Sequence, residues 1–251
     1  MEGKVGVDFL ISLDPLEAAR QITLLDWVYF SKFESFELLN GAWNNKKYKH
    51  RARNVLAMIH NFNQRANWVA KFIVSQTQFK KRIKTFSRLL QIATKLLEMN
   101  NFSSSLAFYS AFENSACYRL NHTRNAVLNK KNGLGRLNAL QHLADTSFNY
   151  KNYREALKKA TPPILPHLGV FLTDLTFIEE LPEVINERLI NFKKRQLCYE
   201  VISGIRQYQL IPFNFTPVPT LQEFLSVEHL EIVSEKELFD LSLTAEPRGW
   251  A

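Results

Sequence analysis

Apolar residues recur along most of this chain at intervals of three and four, the spacing that lays one stripe along an α-helix. Val55, Met58, Ile59, Phe62, Ala66, Val69 and Ile73 form one such stripe, and Phe86, Leu89, Leu90, Ala93, Leu96 and Leu97 form a second. An earlier helix is predicted to begin at Asp14-Pro15. Asp14 suits the cap, Pro15 the first helical position, and Glu17 falls at the capping-box offset. A loop is predicted from Asn40-Gly41 to Lys49. A helix then follows the Asn/Ser-rich joint at Asn100, and another lies near residues 137–148 after a polar loop holding Gly133 and Gly135. Pro162, Pro163 and Pro166 break the chain before LGVFLTDLTFIEE (residues 168–180), and past Pro182 a continuous helix is predicted from Glu183 to about Leu210. Pro212, Pro217 and Pro219 mark a loop, and two short helices close the chain. Strand-like alternation is almost absent and no fixed-period repeat occurs. With short breaks and continuous stripes, the expected architecture is a single all-α domain over residues 1–251.

Composition agrees with that reading and removes others. At 46% hydrophobic residues with 19 Phe, the 251-residue chain can bury a sizeable core, which excludes disorder. Only 8 Gly and 9 Pro are too few for the turns of a β-sandwich. Two isolated cysteines, Cys117 and Cys198, make neither a disulfide framework nor a zinc cluster, and point to a reducing compartment. No signal-peptide core and no membrane-spanning apolar run is seen, so a cytoplasmic location is expected.

Charge changes the picture more. The net charge is +8, yet the 60 residues from 38 to 97 hold 13 basic side chains and no acidic one, leaving −5 for the rest. Such polarity suggests an anionic membrane, a nucleic acid or an acidic partner. The plainer reading is a solvated basic face.

Conventional catalytic patterns are missing. None of the six His sits in a metalloprotease arrangement, no Gly-rich phosphate loop or nucleophile elbow occurs, and neither Cys lies in a nucleophile signature. Glu179 and Glu180 are adjacent, so on a helix they point about 100° apart and would not face one bond. From the residues alone this is a cofactor-free, metal-free helical domain that acts by binding.

Several segments then become specific. DPLEAARQITLLD (14–26), NVLAMIHNFNQRANWVAKFI (54–73) and FSRLLQIATKLLEMNNFSSSLAFYSAF (86–112) with Tyr118-Arg119-Leu120 open the series. NYKNYREAL (149–157), LGVFLTDLTFIEE (168–180), INFKKRQ (190–196), QYQ (207–209) and SLTAEPR (242–248) follow in order. Together they resemble the catalytic domain of Ras-family guanine-nucleotide exchange factors of the Son-of-sevenless type, over about residues 8–248. Eight motifs in the family order make chance implausible.

The resemblance implies an all-helical domain with a protruding helical hairpin, about residues 168–208, its helices at 168–180 and about 189–208. It implies that the hairpin pries open the first switch of a small GTPase and speeds GDP release. Glu180 takes the family's intruding acidic position, where a carboxylate competes with phosphate by accepting its hydrogen bonds and repelling its charge. Thr176, one turn earlier, sits where a side chain intrudes toward the partner's Mg2+, whose octahedral shell tolerates little displacement. Asp174 and Phe177 are expected to meet the opened switch. Ile59, Ala93 and Leu168 are expected to line an apolar pocket for the second switch, with His60, Asn100 and His167 at its rim. His60 stands where Son-of-sevenless has Arg. Trp68, Arg119, Asn191 and Phe192 are assigned to scaffold. The turn at residues 181–188 is shorter than usual and lacks the family's Gly-Asn-Pro, and the chain leaves no room for the helical exchanger motif that often precedes this domain.

The expected partner is thus a Ras, Rap or Ral GTPase, held most tightly when nucleotide-free, because linkage makes whatever favours the empty form lower nucleotide affinity by the same factor. Part of the basic block is expected to place the domain on the anionic inner face of a membrane. The rivals are a GTPase-binding scaffold without exchange activity and a basic helical module that binds nucleic acid.

Overall fold

The computed structural model describes residues 2–249 except 229 and 231; His229, one of the six histidines surveyed, lies outside the described residues. Thirteen α-helices and one small ribbon follow in order among the described residues: α1 (Glu2–Ser12), α2 (Pro15–Phe30), α3 (Arg53–Val74), α4 (Phe79–Glu98), α5 (Phe102–Glu113), α6 (Ser115–Tyr118), α7 (Asn121–Leu128), α8 (Gly133–Ala144), α9 (Ser147–Lys159), α10 (Leu168–Glu179), β1 (Val184–Ile185), β2 (Leu189–Ile190), α11 (Phe192–Gln207), α12 (Pro219–Leu225) and α13 (Glu235–Ala245). Among the described residues, no helix is long and apolar enough to cross a membrane.

Local chemistry explains the boundaries. The Asp14 carboxyl accepts from the backbone N–H groups of Leu16 and Glu17, with Pro15 in the first turn. Glu17 does not close a capping box; its carboxylate is taken by Gln21 at 2.6 Å and Arg20 at 3.3 Å. The expected loop from Asn40 to Lys49 is flanked by 3-10 turns at Ser35–Gly41 and Lys49–Arg51. Gly133 and Gly135 belong to the first turn of α8 rather than to a loop. A Cβ on Gly133 would lie 2.2 Å from the Val127 carbonyl oxygen, so only glycine lets α8 start this close to α7.

The predicted stripes are the core. Val69, Ile73, Phe86, Leu89, Leu90, Ala93 and Leu96 are buried in one cluster with Ile22, Phe108 and Phe112. A second cluster holds Phe30, Phe33, Leu38, Val55, Met58, Leu165, Leu168, Leu172, Leu175, Ile202 and Ile205. A third contains Phe102, Tyr153, Leu157, Ile164 and Val170. Between the first two lies a buried polar knot. Asp26 accepts from Asn61 Nδ2 at 2.9 Å, Asn101 Nδ2 at 2.9 Å and Ser104 Oγ at 2.6 Å, so each oxygen of this buried group is satisfied. The knot fixes α2, α3 and α5 relative to one another.

Two expectations need correction. Residues 183–191 are not helical. After Pro182 the chain forms β1 and β2, paired antiparallel with Val184 opposite Ile190 and Ile185 opposite Leu189. Asn186 and Glu187, with φ of 51° and 62°, make a left-handed turn inside the three-residue loop 186–188, closed by the Arg188 N–H donating to the Ile185 carbonyl at 3.3 Å. Four β-branched or leucine side chains around an Asn-containing turn favour a ribbon over a helix. The basic block, continuous in sequence, is also not one surface. The 22-residue α3 spans roughly 33 Å, placing Lys46–Arg53 and Lys71–Lys84 at opposite ends. Arg65 and Arg82 are fully buried, Lys81 pairs with Asp8, and Lys95 pairs with Glu98.

Candidate functional site

Helix α10 is the element on which the expected residues converge. Leu168, Leu172 and Leu175 sink into the second cluster and Val170 into the third, so one side of the helix is anchored. The opposite side is open: Thr176, Phe177 and Glu180 are exposed, Phe177 at 63%. Thr176 Oγ1 donates to the Leu172 carbonyl at 2.8 Å, which leaves its methyl as the outward group. Glu180 is the C-cap residue, where the helix ends. Asp174 accepts from Arg154 Nη2 at 2.8 Å, tying α10 to α9.

The start of α10 is fixed by aromatic chemistry. The His167 backbone N–H donates to Tyr153 Oη at 2.8 Å, and its ring lies against Phe62 with centroids 4.9 Å apart. Burial pushes the imidazole down to about 4, so it is neutral at physiological pH. A Cβ on Gly169 would stand 2.6 Å from His167 Nε2; the glycine is what leaves room for the ring. Ile59, on the same turn of α3 as exposed His60, packs half-buried on the cluster that contains Leu168. The fold therefore places Ile59 and Leu168 on one cluster and the His167 ring against Phe62 of α3, while His60 is exposed one residue beyond Ile59.

Ala93 does not join them. It is fully buried in the first cluster, so it has no surface with which to line a pocket. Asn100 has a structural role: its φ of 62° needs a residue tolerant of the left-handed region, and its Nδ2 donates to the Thr161 carbonyl at 2.9 Å. It thereby holds the segment that leads into α10. Of the residues assigned to scaffold, Trp68 is buried, Asn191 caps α11 by accepting from the Lys194 N–H, and Arg119 donates to the Ser242 carbonyl. Phe192 is 77% exposed and is not scaffold, because the ribbon turns α11 so that its first residue faces outward.

Sequence reasoning missed the residue that closes the hairpin. Lys194, with its side chain 2% exposed, directs its ammonium onto the Glu179 carbonyl at 3.0 Å, the Leu181 carbonyl at 2.9 Å and Glu183 Oε1 at 2.8 Å. Glu179 Oε2 lies 3.2 Å away. One cation thus satisfies carbonyls at the end of α10 and two carboxylates. Burial alone would lower the lysine pKa, but hydrogen bonds to Glu183 and Glu179 outweigh it and raise it. The same bond to Lys194 holds the Glu183 carboxyl below its ordinary range, helped by Arg195, which also pairs with it. The available signal was the lysine's placement three residues after an Asn cap, which turns it back toward the preceding helix end. A groove of about 850 Å³ runs along the outer side of α11, between Cys198, Ile202 and Arg206 and the segment containing Ser31, Ser35 and Leu39.

The RasGEF domain family profile matches residues 17–196. Among curated relatives from Dictyostelium discoideum, Ras guanine nucleotide exchange factor K is 39% identical over 242 residues, covering 96% of this chain and 15% of the relative. Factor J is 38% identical over 241 residues, covering 96% and 29%, and factor A is 36% identical over 252 residues, covering 95% and 41%. The chain therefore spans less than half the length of these relatives.

Proposed function

Because the chain belongs to the RasGEF domain family, we propose that it binds a Ras-family small GTPase and accelerates release of the GDP that the GTPase holds. Residues 168–207 form the hairpin that enters the nucleotide site. The observation that carries this reading is an anchored helix with an unpartnered outer face: α10 buries Leu168, Leu172 and Leu175 and offers Thr176, Phe177 and Glu180.

The physical role of each residue follows from its place. Glu180, at the end of α10 and free of the Lys194 clamp, carries a carboxylate that accepts the hydrogen bonds the GTPase gives to phosphate. Thr176 offers a small methyl wedge toward the partner's metal site. Phe177 supplies apolar area against the displaced switch. Asp174, already held by Arg154, orients that face more than it adds charge to it. Ile59, His60, His167 and Leu168 form the second contact region, with Asn100 shaping its approach and Ala93 removed to the core. Exchange then needs no covalent step: the domain stabilises the empty GTPase, and reciprocity lowers nucleotide affinity.

The exposed cluster of Lys46, Lys47, Lys49, Arg51 and Arg53, beside exposed Phe36 and Leu39, supports membrane placement. Glu37 is buried and accepts from the Asn54 and Val55 backbone N–H groups, so its carboxylate is committed to the start of α3. The wide separation of the two basic ends speaks against a continuous nucleic-acid track.

The deciding experiment measures fluorescent-GDP release from Ras, Rap and Ral. Acceleration of at least one, slowed at least tenfold by Glu180→Ala, is the expected result. Binding without acceleration across the panel would falsify exchange and leave a scaffold.

A further inference from the structure

Phe148 is the most exposed large apolar side chain among the described residues, at 89%. It also begins a run of three left-handed residues: φ is 52° at Phe148, 56° at Asn149 and 57° at Tyr150. Asparagine tolerates this region, whereas bulky aromatic residues rarely occupy it. A residue that gains no burial and sits in a disfavoured conformation is not there for the fold. Strain of this kind persists where the surroundings impose it, and it clusters at binding sites.

Here the surroundings are explicit. On one side, the Ser147 N–H donates to Asp145 Oδ1 at 2.9 Å, and Asn152 Nδ2 donates to the His142 carbonyl at 3.1 Å. On the other, Arg154 Nε donates to the Asn149 carbonyl at 2.8 Å and Nη2 to Asn149 Oδ1 at 3.2 Å. The same Nη2 donates to Asp174 Oδ1 at 2.8 Å. Tyr150 packs on the third cluster. Arg154 thus ties the left-handed kink in the first turn of α9 to α10, at Asp174, one turn before Phe177. Phe148 is the residue next to Asn149, which Arg154 ties to Asp174 of α10, and its ring is left in solvent.

We propose that Phe148 is an anchor for the same GTPase that α10 engages, filling an apolar depression next to the surface met by Phe177 and so contributing to partner selection. This rests on the reading of α10 as the GTPase-binding helix. A preorganised aromatic with two rotatable bonds gives contact area at low entropic cost, the usual profile of an interface anchor.

The test uses the full chain with Phe148→Ala, Phe148→Asn and Phe148→Leu. Two quantities are read: the Kd for nucleotide-free Ras, Rap and Ral, and GDP release against GTPase concentration. Phe148→Asn suits the left-handed region better, so its melting temperature should hold or rise by about 2 °C. Its Kd and KM should nevertheless increase about tenfold with kcat unchanged, Phe148→Ala should do the same, and Phe148→Leu should recover part of the loss. Wild-type Kd and KM in the Ala and Asn variants would overturn the inference while leaving exchange intact. If wild type binds but does not accelerate release, the exchange reading falls and Kd alone decides on Phe148. If wild type binds none of the three, both fall.

Discussion

Lys194→Met tests how the hairpin is held. The substitution keeps the length of the buried stem and removes the ammonium, which makes contacts of 2.8–3.0 Å to one carboxylate and two carbonyls and lies 3.2 Å from a second carboxylate. A hydrogen bond to a charged group contributes about 1.5–3 kcal/mol. Glu183 is half exposed and Leu181 is exposed, so water recovers much of what the partners lose. We therefore expect about 2 kcal/mol rather than the sum, felt at residues 179–194 and not across the core. That corresponds to about a thirtyfold rise in local opening, read by amide hydrogen exchange at the ribbon and first turn of α11. GDP release should fall about tenfold, because Glu180 loses its fixed position. Lys194→Arg should not rescue, since the planar guanidinium does not fit four acceptors gathered around one point. Wild-type protection at the ribbon together with wild-type release would refute the clamp. The pH dependence has a definite sign. Glu183 is depressed, so its contribution is present above its unfolded pKa and is lost as pH falls through its folded pKa; Lys194 is raised, so its contribution is lost as pH rises through its folded pKa. The clamp should hold across neutral pH and open on both flanks.

His167, pushed down to about 4, is protonated only in the unfolded chain between about 4 and 6.5, so stability should rise with pH there. Urea unfolding at pH 5 should show about 2 kcal/mol less stability than at pH 7 from this residue, and His167→Gln should remove that difference. Glu246→Ala should cost about 3 kcal/mol, because Arg82 and the Thr123 N–H then lose a buried acceptor; calorimetry should show melting lowered by about 6–12 °C, with GDP release at 25 °C unchanged. Neutralising Lys46, Lys47 and Lys49 together should weaken sedimentation with phosphatidylserine vesicles at least tenfold, each lysine near an anionic surface being worth about 1 kcal/mol. Binding insensitive to these changes or to anionic lipid would remove the membrane role.

The sequence by itself determined the helical class, the stripes of α3 and α4, the cap at Asp14, the α10 segment and the family. These depend on period and local chemistry, which neighbours along the chain carry. Asn100 and Asn149 fall within the matched motifs, but their left-handed backbone is seen only in the structure. Tertiary structure alone decided the rest. Ala93 and Ile59 share the same stripe pattern, yet only packing shows that one is sealed in the core and the other faces α10. The basic block is one run in sequence and two separate ends in space, because a helix of roughly 33 Å lies between them. Lys194 reads as one charge in a basic segment until the hairpin folds four acceptors around it. Burial, pairing and direction arise between elements distant in sequence, and no periodicity along the chain encodes them.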